Sequence, residues 1–184
     1  ANLETRTISM IARQTSADAA RGSSELSAGS SAAVTAAGTS VSSGGVLDLN
    51  GFSLGTTEAL TLNGTGISSG GALVNSSSTS ATWQGAITLG SGTRMTASGT
   101  GGLTLSGSLS GGSHVLYAGG AQNTSFNGVF SGSGNTQDGT VTSLYKDGSG
   151  TLTLNGVNTY TGDTRVQAGT LTVGSGGNAG SGSD

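Results

Sequence analysis

The chain has 184 residues, a formal net charge of −3 and a pI near 4.8, with 36 glycines and neither proline nor cysteine. An acidic balance leaves no basic surface to track phosphates, which argues against nucleic acid as a partner. The absent thiols exclude disulfides and thiolate metal sites. Charged residues make up only 8% and aromatics 4%, against about 25% charged in ordinary globular domains. Gly/Ser-rich disorder is the first competitor, but proline is missing and Leu, Val and Ile recur in short alternating runs, so ordered, elongated β-structure is the better reading.

Residues 1–43 form a distinct N-terminal segment. Arg6, Arg13 and Arg21 lie in its first half, and Leu3, Thr7 and Ile11, with Ile8 and Ala12, make an apolar stripe at helical spacing. A solenoid needs its terminal rung covered, so this segment is expected to be a cap, helical or strand, or else a linker. The start Ala1-Asn2-Leu3-Glu4 has neither the charged region nor the apolar core of a secretory signal; a processed chain or a fragment of a longer one is expected. No apolar run is long enough to span a membrane as a helix.

From residue 44 to 174 the pattern settles. Strands are predicted at Val46–Leu49, Leu60–Leu62, Leu73–Val74, Ala86–Leu89, Leu103–Leu105, Val115–Tyr117 and Phe126–Phe130. Four more follow at Val141–Leu144, Leu152–Leu154, Thr164–Val166 and Leu171–Val173. Asn50-Gly51, Asn63-Gly64, Asn127-Gly128, Asp147-Gly148 and Asn155-Gly156 punctuate them with tight-turn chemistry. Asn-Gly between alternating runs also signals hairpins, so antiparallel meanders compete. Short runs at uneven intervals suit coils of a parallel solenoid better, at about 20–25 residues per rung and thus roughly six or seven rungs. Inward aliphatics would stack from rung to rung, with Thr and Ser outward. Residues 175–184 read as a Gly/Ser-rich tail.

The stretch Leu144–Val173, and above all Gly148 to Val173 (GSGTLTLNGVNTYTGDTRVQAGTLTV), closely resembles the passenger-associated strand repeat of bacterial autotransporters, whose pattern runs GxGTLTLSGxNTYTGxTxVxxGTLxV. The runs Trp83 to Gly92 and Gly102 to Gly111 resemble the region that precedes that repeat. The likeness covers residues 44–174 and is strongest over the last 30. It implies an all-β, right-handed parallel β-helix in a secreted or surface-displayed bacterial protein, often an adhesin or biofilm component. The family's membrane-anchoring barrel has no counterpart in this sequence and the repeat occurs in one full copy, so either a slice of a long passenger or a small protein carrying the module is expected.

Candidate chemistry is sparse. Asp48, Glu58, Asp138, Asp147 and Asp163 occur singly, and a polysaccharide-cleaving enzyme would need two of them about 5–10 Å apart, with Lys146 or Arg165 beside them. Turn chemistry is the favoured role for Asp147 and Asp163. His114 lies in Gly-Ser-His-Val with no nucleophile elbow, and residues 132–139 lack the nonapeptide calcium pattern. Thr151/Thr153, Thr159/Thr161 and Thr170/Thr172 have the spacing of a water-ordering array, but the motif does not recur upstream at Asp48, Thr61 and Thr104. Trp83, Tyr117, Tyr145 and Tyr160 are expected to pack in the core or a corner, with stacking on sugars as the alternative. Asn63, Asn75 and Asn123 begin glycan sequons of the kind chance produces here. The expectation is therefore a non-enzymatic, adhesive stalk with no catalytic, cofactor or metal residues. Its partners would be glycan or protein components of a cell surface or matrix, or other copies of itself, outside the cell. Head-to-tail filament subunit and polysaccharide-active enzyme stand as alternatives.

Overall fold

The computed structural model describes residues 38–54, 57–137, 140–175 and 177–180. Most of the N-terminal segment, residues 1–37, and Asp138 therefore lie outside the described residues.

About six turns of chain stack as a β-solenoid. The first contains β1 (Thr39–Val41) and β2 (Leu47–Asp48); the second β3 (Leu60–Leu62), β4 (Leu73–Asn75) and β5 (Ala81–Trp83). The third holds β6 (Ile87–Leu89), β7 (Thr93–Ala97) and β8 (Leu103–Leu105), and the fourth β9 (Leu109–Ser110), β10 (Leu116–Gly120) and β11 (Thr124–Phe126). In the fifth come β12 (Phe130–Ser131), β13 (Asn135–Gln137), β14 (Thr140–Lys146) and β15 (Thr151–Leu154); β16 (Asp163–Val166) and β17 (Thr170–Val173) close the sixth. Successive turns pair into three sheets. Sheet A runs β1-β3-β6-β9-β12, sheet B β2-β4-β7-β10-β14 with β13 and β16 against β14, and sheet C β5-β8-β11-β15-β17. Among the described strands every pairing is parallel except β13 with β14. The parallel solenoid expected from the uneven spacing is thus what forms, and the single hairpin is an excursion from it.

Strands of two to seven residues are too short to persist alone; neighbouring turns supply both their hydrogen bonds and their burial. Sheet A stacks Leu60, Ile87, Leu109 and Phe130, and sheet C stacks Trp83, Leu105, Phe126 and Leu154. All are fully buried. Partners on adjacent turns lie from 19 residues apart (Leu152 with Leu171) to 28 (Thr124 with Leu152), the longest turn being the one that carries the hairpin. Leu171 is only partly buried, and Val166 and Val173 are exposed, with no described strand paired above β16 and β17.

At the corner from sheet C to sheet A the backbones come closest. Gly85, Gly107, Gly128 and Gly156 form a column there, and a Cβ on any of the last three would collide with the carbonyl of the glycine one turn below. The predicted strand Phe126–Phe130 is consequently two strands, broken at Asn127-Gly128-Val129 by this corner. The corner between sheets B and C is built differently. Asn75 is wholly buried; its Oδ1 accepts from the amide of Gly51 at 2.9 Å, and its Nδ2 donates to the carbonyls of Thr79 at 2.9 Å and Gly102 at 2.8 Å. One side chain thereby ties three turns together.

β1 lies at the end of the segment read as cap or linker, yet it is the first member of sheet A, and the start of the Gly/Ser tail still joins the solenoid. There the amide of Asn178 bonds the Gly156 carbonyl, and Asn158 Nδ2 donates to the Asn178 carbonyl at 2.6 Å.

Candidate functional site

The carboxylates occur singly along the solenoid, and three of them have side-chain partners of their own. Asp48 accepts from the amides of Asn50 at 2.9 Å and Ser76 at 3.1 Å and from the Ser76 hydroxyl. Glu58 accepts from the Thr39 hydroxyl. Asp147 receives both guanidinium nitrogens of Arg94, at 2.7 and 2.8 Å. Asp163 pairs across the sheet with Thr142, five residues before Asp147. At about 3.3 Å per strand residue that puts roughly 13 Å or more between the two backbone positions, beyond the separation of a glycosidase pair. Lys146 does not join them. It points inward, is 2% exposed, and its Nζ donates to the carbonyls of Gly148 and, at 3.2 Å, Ala168. Burial lowers its pKa, with the Asp147 charge opposing that shift. His114 sits half-buried in a turn, its amide bonded to the Gly111 carbonyl at 3.0 Å. Among the described residues no three His, Asp or Glu side chains gather as metal ligands would.

The aromatics divide cleanly. Trp83 and Tyr160 are core residues, Tyr160 lying on Phe130 with ring centroids 4.7 Å apart and its hydroxyl 2.7 Å from Thr164 Oγ1. Tyr117 and Tyr145 instead stand half-exposed on the outside of sheet B, contrary to the packing expected for all four. Their register explains the arrangement. Arg94, Tyr117, Tyr145 and Arg165 occupy the same outward position on four successive turns. The tyrosine rings are 5.7 Å apart and inclined at 53°, and Tyr145 donates its hydroxyl to Gln167 Oε1 at 2.8 Å. Arg94 reaches past Tyr117's turn to Asp147, two turns up. It can do so because Gly119 has no side chain: a Cβ there would stand 2.7 Å from an Arg94 nitrogen. The β13–β14 hairpin leaves the solenoid on this same sheet and exposes Val141. This face is the candidate site, and no sequence motif marks it, since its members lie 23, 28 and 20 residues apart.

Hydroxyls make two further columns. Thr82, Thr104, Ser125, Thr153 and Thr172 line up outside sheet C; Ser40, Thr61, Thr88, Ser110 and Ser131 do so outside sheet A. The recurrence is thus more regular than the sequence spacing suggests. It amounts to one column per sheet, with a second position (Thr151, Thr170) only in the last two turns. Cross-strand Thr and Ser pairs of this kind stabilise a sheet. The sequon asparagines are likewise engaged: Asn75 as described, Asn63 through Nδ2 to the Val41 carbonyl at 3.0 Å, and Asn123 as acceptor for the Thr151 amide at 3.2 Å.

No curated protein and no solved structure matches the chain. The family model of the passenger-associated-transport-repeat matches residues 144–173. That interval begins in β14, takes in β15 and β16 and ends with β17, where the register locks Leu152 on Leu171 and Tyr145 on Arg165. The last two turns of this solenoid therefore carry a passenger-associated-transport-repeat.

Proposed function

We propose that the chain is a non-enzymatic, adhesive stalk segment of a secreted or surface-displayed bacterial protein. The repeat and the β-solenoid together fit an autotransporter passenger-like segment. The observation that carries the stalk reading is how the repeat spends its residues. Leu152, Leu154 and Tyr160 fill the core, Gly150 and Gly156 make close turns, and Asn155 and Asn158 bond neighbouring turns. Scaffold duties of this kind leave contact with partners to the outward faces.

Protease shaving of intact source bacteria, read by antibodies against the chain, tests this reading. Accessible chain on the cells or in the medium is expected, together with weaker attachment of cells from which it is deleted. Chain retained inside, or unchanged attachment, would count against it.

The last turn favours a second reading, a filament subunit. Among the described residues no strand pairs with the outer edges of β16 and β17, and Val166 and Val173 are exposed where lower turns bury the equivalent positions. Open, heterologous contacts of that type propagate into fibres. Sedimentation velocity over a range of concentrations separates the two: a constant small species supports the stalk, and growth with concentration supports the filament.

A further inference from the structure

We infer that the outward face of sheet B around Tyr117 and Tyr145 is a binding platform for a neutral polysaccharide, an inference that rests on the surface-displayed reading. The chain has seven aromatic residues, three Tyr, three Phe and one Trp. Trp83, Phe126, Phe130 and Tyr160 are buried in the core, and Phe52 is exposed in the loop that follows β2. Outward strand positions of sheets A and C carry Thr and Ser, the cheap choice for a solvated sheet. Only here do four consecutive turns present the large planar groups Arg94, Tyr117, Tyr145 and Arg165, in strict register. Mutual packing of the two rings accounts for part of this column. It does not account for a guanidinium carried over Gly119 to a bidentate carboxylate, nor for a glutamine oxygen fixed on the Tyr145 hydroxyl.

Charge and area identify the occupant. Asp147 neutralises Arg94 directly and Asp163 lies two residues before Arg165 on the same strand, so the face carries as many carboxylates as guanidinium groups, a poor match for a polyanion. A protein partner needs about 800 Å² from each side, whereas a tyrosine contributes about 150–250 Å² even when fully covered, and two half-exposed rings fall well short. A sugar chain needs less. Its C–H faces lie on ring faces, and its hydroxyls use donors and acceptors together, which Arg94, Asp147 and Gln167 supply at the rim. Because the column repeats once per turn, at about 4.8 Å, the chain would lie along the solenoid axis.

Affinity electrophoresis of the full chain through gels containing dextran, mannan, hydroxyethyl cellulose or polygalacturonate tests the inference. Retardation by at least one of the three neutral polymers is expected. The double variant Tyr117→Ala/Tyr145→Ala should bind that polymer at least about tenfold more weakly, the loss of two stacking contacts, while Tyr145→Phe stays within about threefold. Retardation by polygalacturonate alone, by no polymer, or equally for the double variant would overturn it. Should the double variant lose its cooperative melt, hydrogen exchange of the unmodified chain with and without the retarding polymer decides. Protection confined to residues 93–97, 116–120, 140–147 and 163–167 supports the platform, and protection elsewhere or none overturns it. Protease shaving of cells reports location independently of these tyrosines, so failure here is distinguishable from failure of the stalk reading.

Discussion

Lys146 stands in a column where the turns below it place Leu47, Leu73, Met95 and Ala118. A charge in that position is tolerable because Gly148 and Ala168 offer carbonyls, and because Gly169, with φ +72°, turns the chain without a side chain that would strike Nζ. The lysine thus joins the corner after β14 to the corner after β16. Since burial holds its pKa below 10.5 in the folded chain, the unfolded chain binds more protons between the folded pKa and 10.5, and stability rises with pH across that window. Tyr160 works in the opposite sense. Burial raises its pKa above 10, with the Thr164 bond opposing, so its contribution is complete below pH 10 and is lost as pH climbs through the folded value. Urea melts between pH 7 and 11 check both. The stability of the unmodified chain relative to Lys146→Met should grow towards pH 10.5, and relative to Tyr160→Phe it should shrink above pH 10. A pH-independent difference in either comparison would contradict the corresponding assignment.

Between strands, the glycine column sets how closely turns approach. Gly107→Ala would push a methyl into the Gly85 carbonyl and should cost about 1–3 kcal/mol, as overpacking does. At Gly92 a methyl meets Tyr117 at 3.8 Å and the Val115 carbonyl at 4.0 Å, both ordinary van der Waals contacts, so Gly92→Ala should be neutral or gain up to about 1 kcal/mol; thermal melts of the two variants check the contrast. Stability should also grade along the axis, because each turn leans only on its neighbours. Amides of β17, on an uncovered edge, should exchange faster than those of β8 and β11, which have a strand on each side. Equal protection throughout would mean that the last turn is covered in solution.

The same elements show what was legible in the sequence. Strands with two aliphatics in alternation, such as Leu60–Leu62, Leu103–Leu105 and Thr151–Leu154, were readable because both faces of the pleat announce themselves. β1, β5, β7, β9 and β13 hold at most one aliphatic side chain larger than alanine, too few points to define a period. Register was hidden for another reason. The hairpin at β13–β14 lengthens one turn, so the positions that form the Arg94–Tyr117–Tyr145–Arg165 column follow no constant sequence interval. The site exists only once the turns are stacked. A corner repeat was nonetheless present in plain view. Trp83-Gln84-Gly85, Leu105-Ser106-Gly107, Phe126-Asn127-Gly128 and Leu154-Asn155-Gly156 all place a large apolar residue two positions before the corner glycine.

At the scale of the whole molecule the described turns form a rod whose length is counted in turns, with an aliphatic core, hydroxyl-rich outer faces on sheets A and C, and the Arg–Tyr column on sheet B. Stiffness follows from hydrogen bonds that run from turn to turn along the axis, which suits a stalk. Absence of cysteine makes a direct test practical, because introduced cysteines will be the only thiols. The outward hydroxyl column of sheet C supplies sites that bear no core packing. Spin labels on Thr82→Cys paired in turn with Thr153→Cys and Thr172→Cys span three and four turns respectively. At about 4.8 Å per turn, the solenoid predicts backbone separations of roughly 14 and 19 Å, the second longer than the first by one turn. Equal distances, or a second distance shorter than the first, would contradict parallel stacking in this register.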